Sequence, residues 1–166
     1  MAILPILRYP NPQLREMGVP VSKVDDAIRT LVDDMAETMY DAPGVGIAAP
    51  QIGKLLRIFI IDIAGDDEPS DLKVFINPEI TSLAGSLRWD EGCLSFPGAT
   101  ESIKRAESVT VRATGLDGKQ FELEAVGLLA VAIQHENDHL DGVLMIDKLN
   151  PLGKRRLSRK VAKESG

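Results

Sequence analysis

The two histidines of this chain, His135 and His139, stand four residues apart, and Glu136 directly follows the first of them. On a helix, side chains four residues apart lie on the same face, so both imidazoles would point in one direction. Two nitrogen ligands and an adjacent carboxylate make the H-E-x-x-H pattern. In this pattern the histidines bind a divalent metal and the glutamate lies beside the metal-bound water. The alternative is a helix with two histidines that bind no metal.

A catalytic metal of this type normally has three protein ligands and one water, so a third ligand is needed. Met145 occupies the position at which metzincins place a third histidine. Thermolysin-like enzymes use a downstream glutamate. Here Asp141 and Asp147 are too close in sequence, and Glu164 lies near the end of a basic tail. The one cysteine, Cys93, would complete a Cys-His-His set and leave one position free for water.

Cys93 lies in the sequence Glu-Gly-Cys-Leu-Ser-Phe-Pro-Gly of residues 91–98. Taken alone, a free cysteine is often an inert buried thiol. Its glycine-flanked setting, together with a metal site that lacks one ligand, favours the ligand role. A single cysteine also excludes an intramolecular disulfide and is typical of a reducing compartment.

Three helices are predicted to support these residues. Helical spacing of apolar residues over residues 25–40, followed by an Asp-Ala-Pro-Gly sequence, predicts an amphipathic helix. The apolar run 126–133 leads into the histidines and predicts a helix buried on most sides that stops at Gly142. Asn150 and the proline after it begin a basic C-terminal helix over residues 151–163.

Strands are predicted over residues 55–63 and 74–80, and a hairpin over residues 108–113 and 120–124 around Asp117-Gly118. Together the elements predict an α+β fold. Short antiparallel sheets pack around a central metal-binding helix that bears H-E-x-x-H, and a C-terminal helix follows. A length of 166 residues fits a single catalytic domain spanning residues 1–166.

Composition indicates a soluble globular protein, with 44% hydrophobic and 27% charged residues. The N-terminus lacks the features of a signal or transit peptide, and no apolar run approaches membrane-spanning length. We therefore expect a cytoplasmic protein with no membrane partner.

Charge is distributed unevenly along the chain. Residues 154–163 contain six basic and no acidic residues, so the rest of the chain holds 13 Lys and Arg against 25 Asp and Glu. An acidic body makes sequence-specific or general nucleic-acid binding unexpected. The basic tail is either a solvated helix face or a contact for phosphate.

A glycine-rich loop, residues 44–49, formally matches the dinucleotide-binding pattern G-x-G-x-x-G/A. That pattern must follow a strand and open a helix, whereas this loop follows a predicted helix and runs into Pro50. Dinucleotide binding is therefore excluded. Gln51 presents an amide that could donate to a developing oxyanion, and an ordinary tight loop is the alternative.

Three motifs, residues 44–51, 91–95 and 134–140, resemble in order and spacing those of bacterial-type peptide deformylases. The resemblance extends over essentially the whole chain, including residues 6–10. It implies a hydrolase that removes the N-formyl group from the initiator formyl-methionine of nascent polypeptides and releases formate.

The resemblance also implies roles for individual residues. Cys93, His135 and His139 would hold one divalent metal, which the resemblance implies to be Fe(II) in the cell. Ligand softness also admits Zn(II), Ni(II) or Co(II) in purified protein. Metal-bound water would attack the formyl carbonyl, with Glu136 as general base and then general acid.

The remaining implied residues bind the substrate. The Gln51 side chain and the Leu94 backbone N–H would form the oxyanion hole. Gly46 and Ile47 would pair with the peptide backbone, and Arg105 would contact the peptide. Because the substrate emerges at the ribosome, the basic C-terminal helix is a possible ribosome contact.

Two other functions remain open at this point. A generic metallopeptidase shares the H-E-x-x-H helix but would cleave unblocked or internal peptides. A structural metal module would need a fourth protein ligand, here a carboxylate, because structural zinc sites are closed.

Overall fold

The computed structural model describes residues 2–65 and 67–165 of the chain. Within these ranges the α-helices are α1 (Asp26–Asp41), α2 (Gly127–Leu140) and α3 (Pro151–Ser165). The strands are β1 (Gly46–Ala48), β2 (Ile58–Ile61), β3 (Lys73–Ala84), β4 (Leu87–Cys93), β5 (Phe96–Arg105), β6 (Ser108–Thr114) and β7 (Gln120–Val126). Short 3₁₀-helices cover Pro12–Arg15, Ala49–Ile52 and Met145–Lys148.

The strands form two antiparallel sheets. Strands β1, β2, β3, β6 and β7 lie in that order in a five-stranded sheet, and β4 pairs with β5 in a separate hairpin. The predicted Asp117-Gly118 turn joins β6 to β7, and there the Gly115 N–H donates to the Lys119 carbonyl oxygen. The predicted α+β fold with short antiparallel sheets is confirmed.

Strand β2 is shorter than predicted because the residues before it pair elsewhere. The Arg57 N–H donates to the Val19 carbonyl oxygen, and the Val19 N–H donates to the Leu55 carbonyl oxygen. These bonds place Leu55 to Arg57 beside the N-terminal segment, although the Arg57 carbonyl oxygen still accepts from the Asn77 N–H of β3. Strand β3 is longer than predicted, because β6 continues the pairing as far as Ala84.

Helix α2 is buried on most sides, as predicted. Its apolar residues pack into one core cluster with side chains of the five-stranded sheet, among them Ala130, Ile133, Leu140, Phe59, Phe75 and Val111. The helix ends before Gly142, which has a φ of +73° that favours glycine. This dry, rigid packing fixes the part of the chain that carries both histidines.

Helix α3 packs against β5, so the predicted C-terminal helix is confirmed. The Asn150 side chain accepts a hydrogen bond from the Gly153 N–H at 2.8 Å and caps the first turn. Leu157 and Val161 are buried in a second cluster that includes Phe96 and other residues of the hairpin. Within the described ranges, no helix is long and apolar enough to cross a membrane.

Gly142 supplies the first testable prediction. A Cβ at this position would lie 2.7 Å from the Arg15 carbonyl carbon and closer still to its oxygen. Gly142→Ala adds this collision to the strain of a positive φ, so we expect it to lower the free energy of unfolding by about 3 kcal/mol.

Gly118→Ala is the matched control, because Gly118 also has a positive φ (+78°) but a Cβ there would meet no atom within 4 Å. It should lose only the conformational contribution of about 1 kcal/mol. Urea unfolding of both variants measures the difference. Equal losses would show that the contact between Gly142 and Arg15 contributes nothing.

Candidate active site

Cys93, His135 and His139 converge although they come from two elements. Cys93 ends β4, and the two histidines lie on one face of α2. One potential ligand atom from each residue lies within 4.8 Å of the others, and Cys93 Sγ is 3.4 Å from His139 Nε2. A sulfur and two imidazole nitrogens at this spacing fit a single divalent transition metal.

His135 is oriented by a carboxylate behind it. Its Nδ1 lies 2.9 Å from Glu91 Oε1, which leaves Nε2 as the nitrogen available to a metal. Burial by itself raises the pKa of Glu91, but hydrogen bonds from Arg105 and His135 outweigh it and hold this pKa below its ordinary value. Glu91 is therefore a carboxylate that orients the imidazole.

Arg105 holds Glu91 in place and does not line the groove beside the metal ligands. Its guanidinium donates twice to Glu91, at 2.7 and 2.9 Å, and once to Asp138 at 2.6 Å. The side chain is only 4% exposed. Three of its five N–H groups donate inside the protein, so the structure gives Arg105 a supporting role, and its contact with a peptide stays a prediction.

Glu136 is buried beside the ligand set. Burial raises its pKa to about 7, with the charges around it contributing less. Its Oε1 has no hydrogen-bond partner among the described residues. A Cβ on Gly46 would lie 2.7 Å from the other oxygen, Oε2, so this carboxylate requires a glycine at that position.

His139 lies deeper than the other ligands, at 1% exposure. Burial lowers its pKa well below the ordinary value, which keeps the imidazole neutral, the form that binds a metal. Its Nδ1 has no hydrogen-bond partner within the described part of the chain. Packing therefore orients the His139 ring, whereas a hydrogen bond to Glu91 orients the His135 ring.

Gln51 presents its amide to the same site. The Ala48 N–H donates to Gln51 Oε1 at 2.9 Å. Gln51 Nε2 therefore faces the site, 3.1 Å from Ser95 Oγ and 3.6 Å from Cys93 Sγ. Leu94 lies in the turn between β4 and β5, and a Cβ on Gly44 would lie 2.9 Å from its Cδ1, so the glycine loop packs closely on it.

A groove of about 610 Å³ opens over these groups. Its walls come from the N-terminal segment, the glycine loop and the β4–β5 hairpin, and His135 and Glu136 lie at its inner end. Gly46 lines it, whereas the Ile47 side chain is fully buried in the core. Both belong to β1, an edge strand that pairs only with β2 among the described strands.

Sequence reasoning missed Glu91, Asp138 and Ser95 as supporting residues. All three lie inside or beside the motifs that carry the metal ligands, at positions next to Cys93 or between the histidines. Their closeness in sequence to the ligands was the available signal. Their contacts depend on how β4, β5 and α2 meet, which the sequence pattern did not predict.

Comparisons with known proteins agree on one family. The family model described as "Polypeptide deformylase" matches residues 3–155. A peptide deformylase of Syntrophobacter fumaroxidans is 49% identical over 164 residues, covering 99% of this chain and 96% of that protein. One of Alkalilimnicola ehrlichii is 51% identical over 163 residues, covering 98% and 91%.

Solved structures give the same result. The crystal structure of a peptide deformylase from Legionella pneumophila has a TM-score of 0.94 at 48% identity, covering 99% of this chain and 96% of that one. A Synechococcus elongatus peptide deformylase in complex with actinonin has a TM-score of 0.92 at 37% identity, covering 99% and 89%.

Cys93→Ser tests the ligand set. A hydroxyl is a poor, largely protonated ligand, so we expect metal affinity to fall more than about 100-fold, since loss of an outer-shell partner alone costs about 10–100-fold. Chelator competition measures the affinity, and circular dichroism should show an unchanged fold because the core clusters remain. If the variant still bound one metal ion per chain under the same competition, Cys93 would not be a metal ligand.

Proposed function

Because this chain belongs to the polypeptide deformylase family, we propose that it removes the N-formyl group from the initiator formyl-methionine of nascent polypeptides and releases formate. The observation that carries this proposal is the convergence of Cys93, His135 and His139 into one cluster. Cys93 and His135 line the same groove as Glu136. We further propose that residues 1–166 act as a single catalytic domain in the cytoplasm, where such substrates are made.

Cys93, His135 and His139 would hold one divalent metal ion. When bound, the ion supplies Lewis-acid chemistry, polarising the formyl carbonyl and making water a stronger nucleophile. We propose Fe(II) in the cell, with Zn(II), Ni(II) or Co(II) able to replace it, because a thiolate with two imidazoles suits all four.

Glu136 would move the proton in both halves of the reaction. It takes a proton from the attacking water and later gives one to the leaving amine. Burial raises the Glu136 pKa to about 7, which favours a group that can both accept and donate a proton near neutral pH. Its Oε1 is free for this role, having no other partner in the described structure.

Gln51 Nε2 and the Leu94 N–H would stabilise the negative charge that develops on the formyl oxygen. The Ala48 N–H fixes the Gln51 amide so that its nitrogen faces the site. On the other side of the groove, the edge strand β1 offers Gly46 and Ile47 to the peptide backbone as an added-strand contact.

The structural metal module loses support from the ligand count. Among the described residues, the cluster holds one cysteine and two histidines and no carboxylate as a fourth ligand. A set of three with a neighbouring free carboxylate is typical of a catalytic site. A generic metallopeptidase would cleave unblocked or internal peptides, whereas a deformylase requires the formyl group, so the substrate distinguishes the two.

The test compares formyl-Met-Ala-type peptides with acetylated and free-amine counterparts, measuring formate or new amine. We expect turnover of the formyl peptide only. The reason we propose is that the backbone at Gly46 lies so close to Glu136 that a Cβ there would be 2.7 Å from Oε2, and an acetyl methyl group beside this carboxylate would be disfavoured. Comparable turnover of acetyl and formyl peptides would contradict this specificity, and cleavage of unblocked peptides would favour the metallopeptidase.

Glu136→Gln is the matched variant for the mechanism. Glutamine is nearly isosteric but cannot accept the proton, so kcat should fall by about 10⁴, the upper end of general acid–base contributions. Metal content and affinity for formyl peptides should change little, because the three ligands and Gln51 are untouched. A variant that kept its metal and lost less than about tenfold would contradict the proton shuttle.

We also propose that α3 contacts the ribosome, with phosphate as the recognised group. Arg156 and Lys160 are already bound to Glu101, and these bonds lower the Glu101 pKa to about 2. Lys154, Arg155 and Arg159 instead line a second, shallow depression of about 440 Å³. Arg156 and Lys160 therefore pair with Glu101 of the same chain. Lys154, Arg155 and Arg159 are the basic residues that we propose contact phosphate.

Replacing Lys154, Arg155 and Arg159 with Ala should weaken ribosome binding most strongly at low salt and reduce its salt dependence, because fewer counterions are released. Co-sedimentation across a salt series measures this, and cleavage of short peptides should stay unchanged. A control that removes three exposed lysines on other elements, Lys23, Lys54 and Lys119, has the same net charge. Equal binding by both triple variants would reject a specific contact through α3.

A further inference from the structure

We propose that Ser95 is a positioning residue whose buried hydroxyl holds the Gln51 amide in the orientation that directs one Nε2 hydrogen into the groove. The inference rests on the proposed function, in which that hydrogen stabilises the developing oxyanion. Ser95 itself has no exposed surface and does not line the groove, so it acts only through Gln51.

The orientation of the Gln51 amide follows from its partners. The Ala48 N–H is a donor and needs an acceptor, so the group 2.9 Å from it must be the amide oxygen. The amide nitrogen then lies on the opposite side, 3.1 Å from Ser95 Oγ. One Nε2 hydrogen is donated to Ser95 Oγ, and the other is donated to Cys93 Sγ, 3.6 Å away, which lines the groove.

The backbones of Gln51 and Ser95 are held together by one segment. The Leu7 N–H donates to the Gln51 carbonyl oxygen at 2.7 Å, and the Tyr9 N–H donates to the Ser95 carbonyl oxygen at 2.8 Å. These two bonds, made by residues two apart in the chain, join the 3₁₀-helix Ala49–Ile52 to the β4–β5 hairpin. Tyr9 also stacks on Phe96 with ring centroids 4.9 Å apart, which fixes the segment against the hairpin.

The hydrogen bond between Gln51 Nε2 and Ser95 Oγ therefore joins the 3₁₀-helix Ala49–Ile52 to the β4–β5 turn, two segments that are not paired as strands. Without the Ser95 hydroxyl, the amide would keep its bond to Ala48 but could swing about its terminal torsion, which is broad for glutamine. A donor that is fixed before the reaction stabilises the oxyanion more than one that must be ordered during it. Ser95 should therefore act on the chemical step and leave substrate affinity almost unchanged.

The test is a double-mutant cycle with Ser95→Ala, Gln51→Ala and the double variant, each loaded with one metal ion per chain. Loss of one oxyanion donor in Gln51→Ala should lower kcat by about 10²–10³-fold. Ser95→Ala should lower kcat by about 5- to 30-fold, as expected for one hydrogen bond, with KM within about twofold. The double variant should match Gln51→Ala, because the Ser95 hydroxyl has no target once the amide is gone.

Ser102→Ala is the matched control, because it removes an exposed hydroxyl from the same hairpin and should leave kcat unchanged. A second readout is independent of activity. In ¹⁵N spectra of the Zn(II)-loaded protein, the Gln51 side-chain amide should shift and exchange faster with water in Ser95→Ala. If Ser95→Ala does not fold, Ser95→Cys, which keeps the size but accepts weakly, should show the same changes in smaller degree.

The outcomes separate the two claims. If Gln51→Ala lost less than about tenfold in kcat, both the oxyanion role and the role of Ser95 would be overturned. If Gln51→Ala were impaired but the Ser95 variants matched the unaltered protein within about twofold, only the Ser95 inference would fail. Losses that multiplied in the double variant would also overturn it, since they would show that Ser95 acts independently of Gln51.

Discussion

The buried guanidinium of Arg105 connects the elements that supply the metal ligands. Its bonds to Glu91 hold β4, its bond to Asp138 holds α2, and Glu91 in turn holds His135. Charges buried this deeply are tolerated only when paired and hydrogen-bonded, and removing one partner costs about 3–5 kcal/mol. Cys93 follows Glu91 by two residues on β4, so the same ion network sets the distance between the thiol and the imidazoles.

The charges around this network also favour a cation. Arg105 and Lys148 together balance the carboxylates of Glu91 and Asp138. The buried Glu136 and Cys93, which binds metals as a thiolate, have no ion-pair partner among the described residues and are the groups in excess. In a site with little water, such an excess of negative groups is stabilised by a divalent ion. Cys93 lies on β4 and both histidines lie on α2, so a bound ion would join the same two elements that Arg105 joins. Metal binding and the packing of the hairpin on α2 are therefore coupled.

The sequence pattern predicted helix α2 well, because the residues that define this helix are close together in the chain. The spacing of His135 and His139, the apolar run before them and the stop at Gly142 all describe α2, and the structure agrees. The β4–β5 hairpin was not predicted, because charged residues in β4 interrupt the alternation that marks a strand. The ion pairs of Arg105 were missed for the same reason: its partners lie on β4 and α2, and no local pattern shows where three elements meet.

Gly46 brings the proposed peptide-binding strand β1 close to Glu136 because it has no side chain. It lies in the edge strand that faces the groove, and a side chain there would collide with the Glu136 carboxylate. The backbone of β1 can therefore approach the Glu136 carboxylate, the proposed general base, closely only because residue 46 has no Cβ. A peptide that pairs with this strand is placed relative to Glu136 by main-chain bonds, whatever its side chains. If the proposed function holds, such placement suits substrates that share the backbone, the formyl group and the initiator methionine but differ in every later side chain.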